Sequence, residues 1–198
     1  AMICGIWSVT VSAAEGVCGD DLTWTLDGGT LTISGTGKMY DYSAVSEPDK
    51  GPWLESGEEV KNVVIENGVE SVGMRAFHEC KTLESVVLAD SVTEIGGAAF
   101  YYCGDSFTSI TIPANVNSIE QSALSGNPNL TVYGYSGTYA ETFAVQKGIS
   151  LESLGEAPSE TINVSNSTEL LEAIGSNREI ILADGVYTLD NALEIGTY

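Results

Sequence analysis

The sequence predicts a mainly β solenoid, and three observations carry that prediction. Two stretches align over their whole length: VKNVVIENGVESVGMRAFHEC, from Val60 to Cys80, and LESVVLADSVTEIGGAAFYYC, from Leu83 to Cys103. A third, FTSITIPANVNSIEQSALSGN, from Phe107 to Asn127, keeps the same frame. The steps between units are 23 and 24 residues, with the extra residue taken up in Gly104-Asp105-Ser106. A fixed period in the twenties marks stacked repeats. Finally, each unit is apolar on one side only, a side that a lone unit cannot bury and stacked neighbours can.

Within a unit, Leu83, Val86 and Leu88 alternate with small or polar residues, as a short strand does. Val92 and Ile95 turn inward after a bend. Ala99-Phe100 then sets a small residue beside a large one, so that the backbone turns close to the core while the ring fills it. Val72, Ile95 and Ile119 correspond between units, as do Ala76, Ala99 and Ala123, and then Phe77, Phe100 and Leu124.

The flanks read as caps. Residues 15–59 form an N-terminal β cap, in which Trp24 and Leu26, then Leu31 and Ile33, alternate across Asp27-Gly28-Gly29. That is a hairpin pattern with glycines at the turn, and it protects the edge of the first coil. Residues 60–155 hold the repeats and a C-terminal cap with one more strand and a short helix from about Tyr139 to Lys147. Glu156-Ala157-Pro158-Ser159-Glu160 reads as a linker. In 161–198, Ser167 with Leu170, Leu171 and Ile174 suggests a capped short helix, Ile180-Ile181-Leu182 a strand, and Asp184-Gly185 a turn. At the other end, residues 1–14 join an apolar run to small residues at Val11-Ser12-Ala13 and Ser12-Ala13-Ala14, the pattern of a signal-peptide remnant.

The repeated pattern L-x-x-V-x-I/L-x-x-x-V-x-x-I-G-x-x-A-F-x-x-C, from Val60 to about Ile149, resembles the BspA-type leucine-rich repeat of bacterial surface and secreted proteins. The third unit departs from it, with Glu120 for Gly, Leu124 for Phe and Asn127 for Cys. The resemblance implies a binding role at a bacterial surface. Residues 161–198 resemble the opening turn of a pectate-lyase-like parallel β-helix, which would be only partial here.

Charge excludes several classes of partner. Against 28 Asp or Glu the chain has 7 Lys or Arg, a formal net charge of −21. Such a surface repels phosphate backbones and anionic lipid, and no stretch after the leader approaches the roughly 20 apolar residues of a membrane span. The expected mature chain is soluble, monomeric and free of nucleic acid.

Candidate chemistry starts with Arg75-Ala76-Phe77-His78-Glu79-Cys80, which holds the single histidine. Histidine, acid and thiol suggest zinc or a nucleophile with its base. The repeat frame argues otherwise. Phe77 and Cys80 are framework positions, while His78 and Glu79 align with Tyr101-Tyr102 and Ser125-Gly126. The expectation is therefore a buried Phe77 and Cys80, a largely exposed His78, and no metal, cofactor or catalytic residue. Cys80 and Cys103 occupy one position in adjacent coils about 5 Å apart, within disulfide range. Asn127 in the next coil favours free thiols at that position. Asp20, Asp21 and Asp41 lack calcium-loop spacing. Tyr133, Tyr135 and Tyr139 offer a stacking surface for sugar, with packing inside the cap as the favoured reading.

The partner-binding candidates lie on the outward strand face. They are Asn62, Val64 and Glu66, then Ser85, Val87 and Ala89, then Ser109, Thr111 and Pro113, without an aromatic anchor. The leading functional reading is an exported recognition or adhesion module for a protein or glycan. Its alternatives are an accessory domain of a carbohydrate-active β-helix enzyme, or a structural spacer.

Overall fold

The computed structural model describes residues 13–43, 45, 49–158, 160–164 and 178–182, with backbone alone for the last two segments. The expected helix at 167–174 and turn at 184–185 lie outside them, as does most of the expected leader. The chain divides into two units, Ala1–Ala157 and Pro158–Tyr198.

The first unit is a parallel β-solenoid. Its cap begins with β1 (Ala14–Val17), β2 (Asp21–Asp27) and β3 (Thr30–Lys38), paired antiparallel in order. Gly28 and Gly29 link β2 to β3 with φ of 55° and 80°. Two successive positive φ values define the hairpin turn whose twist matches its strands, and glycine adopts them without strain. Beyond the hairpin every pairing is parallel. One ladder runs β3 to β4 (Asn62–Ile65), β6 (Ser85–Leu88), β8 (Ser109–Thr111), β10 (Thr131–Ser136) and β11 (Ser150–Glu156). The second runs from the end of β3 to β5 (Val69–Val72), β7 (Glu94–Ile95) and β9 (Ser118–Ile119). The cap strand β3 thus belongs to both ladders and acts as the template on which the first coil is laid. The helix α1 (Tyr139–Lys147) takes the place of a strand between β10 and β11 and closes the array.

The third side of each coil is a run of turns, and its hydrogen bonds alternate. The amides of Arg75, Phe77 and Glu79 donate forward to the carbonyls of Gly97, Ala99 and Tyr101 in the next coil, at 3.0, 2.7 and 2.8 Å. The residues between them close turns within their own coil, with Ala76 donating to Gly73 and His78 to Arg75. Arg75, Glu79, Ala98 and Tyr102, whose amides all point at the next coil, adopt left-handed backbone with φ of 54–58°, while Phe77 and Phe100 point the same way without it. Non-glycine residues accept that conformation at a cost of about 1–2 kcal/mol each. The inter-coil bonds offset it, because buried amides without a partner cost as much or more.

The core is a set of columns, one residue per coil. Val63, Val86, Ile110 and Val132 form one, and Val72, Ile95 and Ile119 another, all buried. The aromatic column begins in the cap. Trp53, in a 3-10 turn over Pro52–Glu55, stacks on Phe77 at 5.0 Å, and Phe77 stacks on Phe100 at 5.0 Å with planes 3° apart. Leu124 ends that column, and Phe107 from the neighbouring column tilts against Phe100 at 5.8 Å.

In the second unit, β12 (Glu160–Val164) and β13 (Arg178–Leu182) pair parallel, with Ile162 opposite Ile180. β13 covers the strand expected at 180–182.

Candidate functional site

Strand pairing brings the outward candidates into register. Asn62, Ser85, Ser109 and Thr131 stand side by side on neighbouring strands, and so do Val64, Val87, Thr111 and Tyr133. The cap adds Thr30 and Thr32 at one end, and β11 adds Ser150 and Glu152 at the other. Alternation alone fixes which side chains face out, since Val63, Val86, Ile110 and Val132 between them are buried. Glu66 is exposed, and Val87 is 48% exposed although it is apolar. Ser85 donates across the coils to Asn62 Oδ1 at 2.7 Å, so that pair is ordered rather than free. Pro113 does not belong to the outward set. It is buried, because the chain bends inward after Thr111 to reach Val116.

The face also carries aromatic residues, contrary to the expectation from sequence. Tyr133 and Tyr135 alternate with buried Val132 and Gly134 along β10 and lie partly exposed on the outer side. They are not packed inside the cap. Only Tyr139, 44% exposed at the start of α1, belongs to the cap. The signal that would have found them is the strand register, in which Tyr133 continues the Thr111 position.

The His78 constellation separates as its repeat positions require in one respect and differs in another. Phe77 is fully buried and Cys80 nearly so. His78 is half-buried instead of largely exposed, because its ring lies on Tyr101 of the next coil at 5.4 Å and 20°. Burial, and then the Arg75 charge, hold its pKa below the usual histidine value. Among the described residues no three His, Cys, Asp or Glu side chains come together as metal ligands.

Cys18, Cys80 and Cys103 are free and buried. Burial pushes their thiols up to about 12, 11 and 12 respectively, so at neutral pH they are not thiolates and not nucleophiles. Two of them, Cys80 and Cys103, take part in the backbone bonding. Cys103 Sγ donates to the Phe77 carbonyl of the preceding coil at 3.2 Å. Asn127, one coil on, donates through Nδ2 to the Phe100 carbonyl at 2.8 Å and accepts from the Gly104 amide at 3.2 Å. The apparent lapse from Cys to Asn is a like-for-like replacement of a weak donor by a stronger one.

Elsewhere the acidic residues serve local structure. Asp41 Oδ1 accepts from the Met74 amide at 2.7 Å, and Asp20 accepts from the Tyr40 hydroxyl at 3.0 Å. Lys38 pairs with Glu94 at 2.8 Å across the second ladder; with both ends exposed, solvent screens the pair and it adds little to stability.

Stacked parallel coils with two strand ladders, a turn side and framework residues repeating every 23–24 positions define a leucine-rich-repeat solenoid. The family model of the BspA-type leucine-rich repeat region matches residues 55–168 in 6 copies, and the chain belongs to that family. The match ends inside the segment whose sequence resembles a β-helix opening. A solved leucine-rich repeat protein from Eubacterium ventriosum is similar at 23% identity and a TM-score of 0.44. That likeness covers 63% of this chain and 45% of the other, so the chain spans less than half the length of that protein. Comparison with curated proteins gives no match. Among the described residues no helix is long and apolar enough to cross a membrane.

Proposed function

We propose that the chain is an exported bacterial surface module that recognises a protein or glycan partner across the outer face of the first ladder. The observation that carries this reading is the in-register row Val64, Val87, Thr111 and Tyr133, flanked by Asn62, Ser85, Ser109 and Glu66. It joins exposed apolar area to an aromatic side chain, the residue type that dominates binding hot spots. The net charge of −21 selects partners with basic surface and makes binding weaken with salt. BspA-type membership supports a surface or secreted location.

Export would cut the leader after Ala13 or Ala14. Ala14 is the first residue of β1 and pairs with Leu26, so the cut after Ala13 is the one that leaves the cap whole. The linker expected at 156–160 falls where β11 ends at Glu156 and β12 begins at Glu160, and the parallel pair β12–β13 supports a second, β-helix-like domain after it.

The test is a screen of glycans and extracellular host proteins against the purified chain, followed by Val87→Lys and Tyr133→Ala. Both variants are expected to bind at least tenfold more weakly with an unchanged circular dichroism spectrum. Binding that survives both substitutions removes the strand face as the site. No binding to any probe leaves the spacer reading.

A further inference from the structure

A cleft of about 670 Å³ lies between the last turn of the array and the C-terminal cap, and it shares only Ser150 with the strand face. Leu124, Leu130 and Phe143 form its apolar floor. Tyr102, 50% exposed, stands on one wall, and Gln121 and Lys147 stand on the other. Asn127 fixes the rim, with its amide committed to three backbone bonds, to Phe100, Leu124 and Gly104.

With acids outnumbering bases 28 to 7, Lys38, Lys61 and Arg75 each sit against a carboxylate. Lys147 and Lys81, like Lys50 in the N-terminal cap, have no carboxylate partner among the described residues. Lys147 Nζ is 3.3 Å from Gln121 Oε1 and 5.8 Å from the Phe143 ring. Lys81 reaches past Gly104 to donate to the Tyr102 carbonyl, with Nζ 5.5 Å from the ring. Asp105 is the single acid among the lining residues. The Lys147 ammonium, an exposed aromatic ring and an amide therefore line one concave site of small-ligand size, with Lys81 behind the Tyr102 wall.

We propose that this cleft binds a sugar that carries a carboxylate, such as a hexuronic acid residue. Lys147 pairs with the carboxylate, and Lys81 adds to the local positive potential. The Gln121 amide donates to a ring hydroxyl. Tyr102 covers the apolar C–H face of the pyranose, and the apolar floor takes the opposite edge. A phosphate fits less well. Phosphate is commonly held by bidentate Arg, by Lys or by a helix N-terminus; this cleft meets the C-terminal end of α1, which opposes any anion and a dianion most, as does the acidic rest of the chain.

The test compares sodium D-glucuronate with D-glucose, two probes that differ in the carboxylate. Amide signals of the ¹⁵N-labelled full chain are followed at low salt up to about 50 mM ligand, where millimolar affinity saturates. Glucuronate is expected to shift Ser125, Gly126 and Gly148 and to bind at least tenfold more tightly than glucose. Lys147→Met and Tyr102→Ala are each expected to weaken it at least fivefold while Phe77 and Phe100 signals stay in place. Val87→Lys on the strand face leaves it unchanged, so failure here and failure of the strand-face reading are separate results. Equal binding of the two sugars, survival of binding in both cleft variants, shifts confined to the first ladder, or no shift at all overturns the proposal.

Discussion

Removal of one ring from the aromatic column measures how far the repeats depend on each other. Phe100 is fully buried, stacked on Phe77 at 5.0 Å and tilted against Phe107 at 5.8 Å. In Phe100→Ala the lost apolar burial is worth about 2.5 kcal/mol. The two ring contacts add roughly 0.5–1.5 kcal/mol each, giving about 4 kcal/mol, within the ordinary range for such truncations. Phe100→Leu keeps most of the apolar volume and loses only the ring contacts, so about 1–2 kcal/mol is expected. The third coil already holds Leu124 at this position. Urea unfolding of the three proteins, followed by far-UV circular dichroism and by tryptophan fluorescence, reads both values. The slopes should be equal and the midpoints ordered wild type, Leu, Ala. A loss below about 1.5 kcal/mol for Ala, or equal losses for Leu and Ala, would refute the column as a source of stability.

Other consequences are as specific. Ala98→Gly should raise the urea midpoint, because relief of a left-handed alanine at φ 54° outweighs the added chain entropy, for a net gain of about 0.5 kcal/mol. Gly73→Ala should abolish folding as judged by circular dichroism, since a Cβ there would lie 1.9 Å from the Tyr40 carbonyl oxygen. Cys103→Asn should cost less than about 1 kcal/mol in urea unfolding, as Asn127 shows the position accepts an amide. Cys103→Val should cost more, by leaving the Phe77 carbonyl without that donor. Alkaline pH should destabilise the fold. The thiols of Cys18, Cys80 and Cys103 are raised from 9.0 to about 12, 11 and 12, so the unfolded chain ionises first. Stability held below pH 9 is lost as pH climbs through that window, and urea midpoints at successive pH values, compared between wild type and Cys103→Asn, read the contribution of one thiol.

The coil spacing was legible because a solenoid column demands the same kind of residue at the same phase, as Ala76, Ala99 and Ala123 do. Trp53 lies 24 residues before Phe77, one period upstream, and the structure makes it the first ring of the column. What stayed hidden depends on neighbours distant in sequence. His78 is covered by Tyr101, a residue 23 positions away whose ring is invisible from the local pattern. The left-handed turn residues Arg75, Glu79, Ala98 and Tyr102 carry no glycine signal, because inter-coil bonds hold them there against their own preference. The aromatic end of the outer face was missed because Tyr133 and Tyr135 sit among cap residues in sequence, while their strand pairs with β8 and continues the ladder.

The hydrogen bonds that join successive coils on every side also set how the array meets a pulling force. Tension along the stack pulls directly on the bonds between one coil and the next, while the bonds inside each turn are left slack. Rupture should therefore proceed from an end, one coil at a time. Each event frees about 23 residues, whose extended length of about 3.3–3.6 Å apiece, less one strand spacing, lengthens the tether by roughly 70–80 Å. Under tension such a chain would pay out in steps of fixed length, an extensible link in place of a rigid rod.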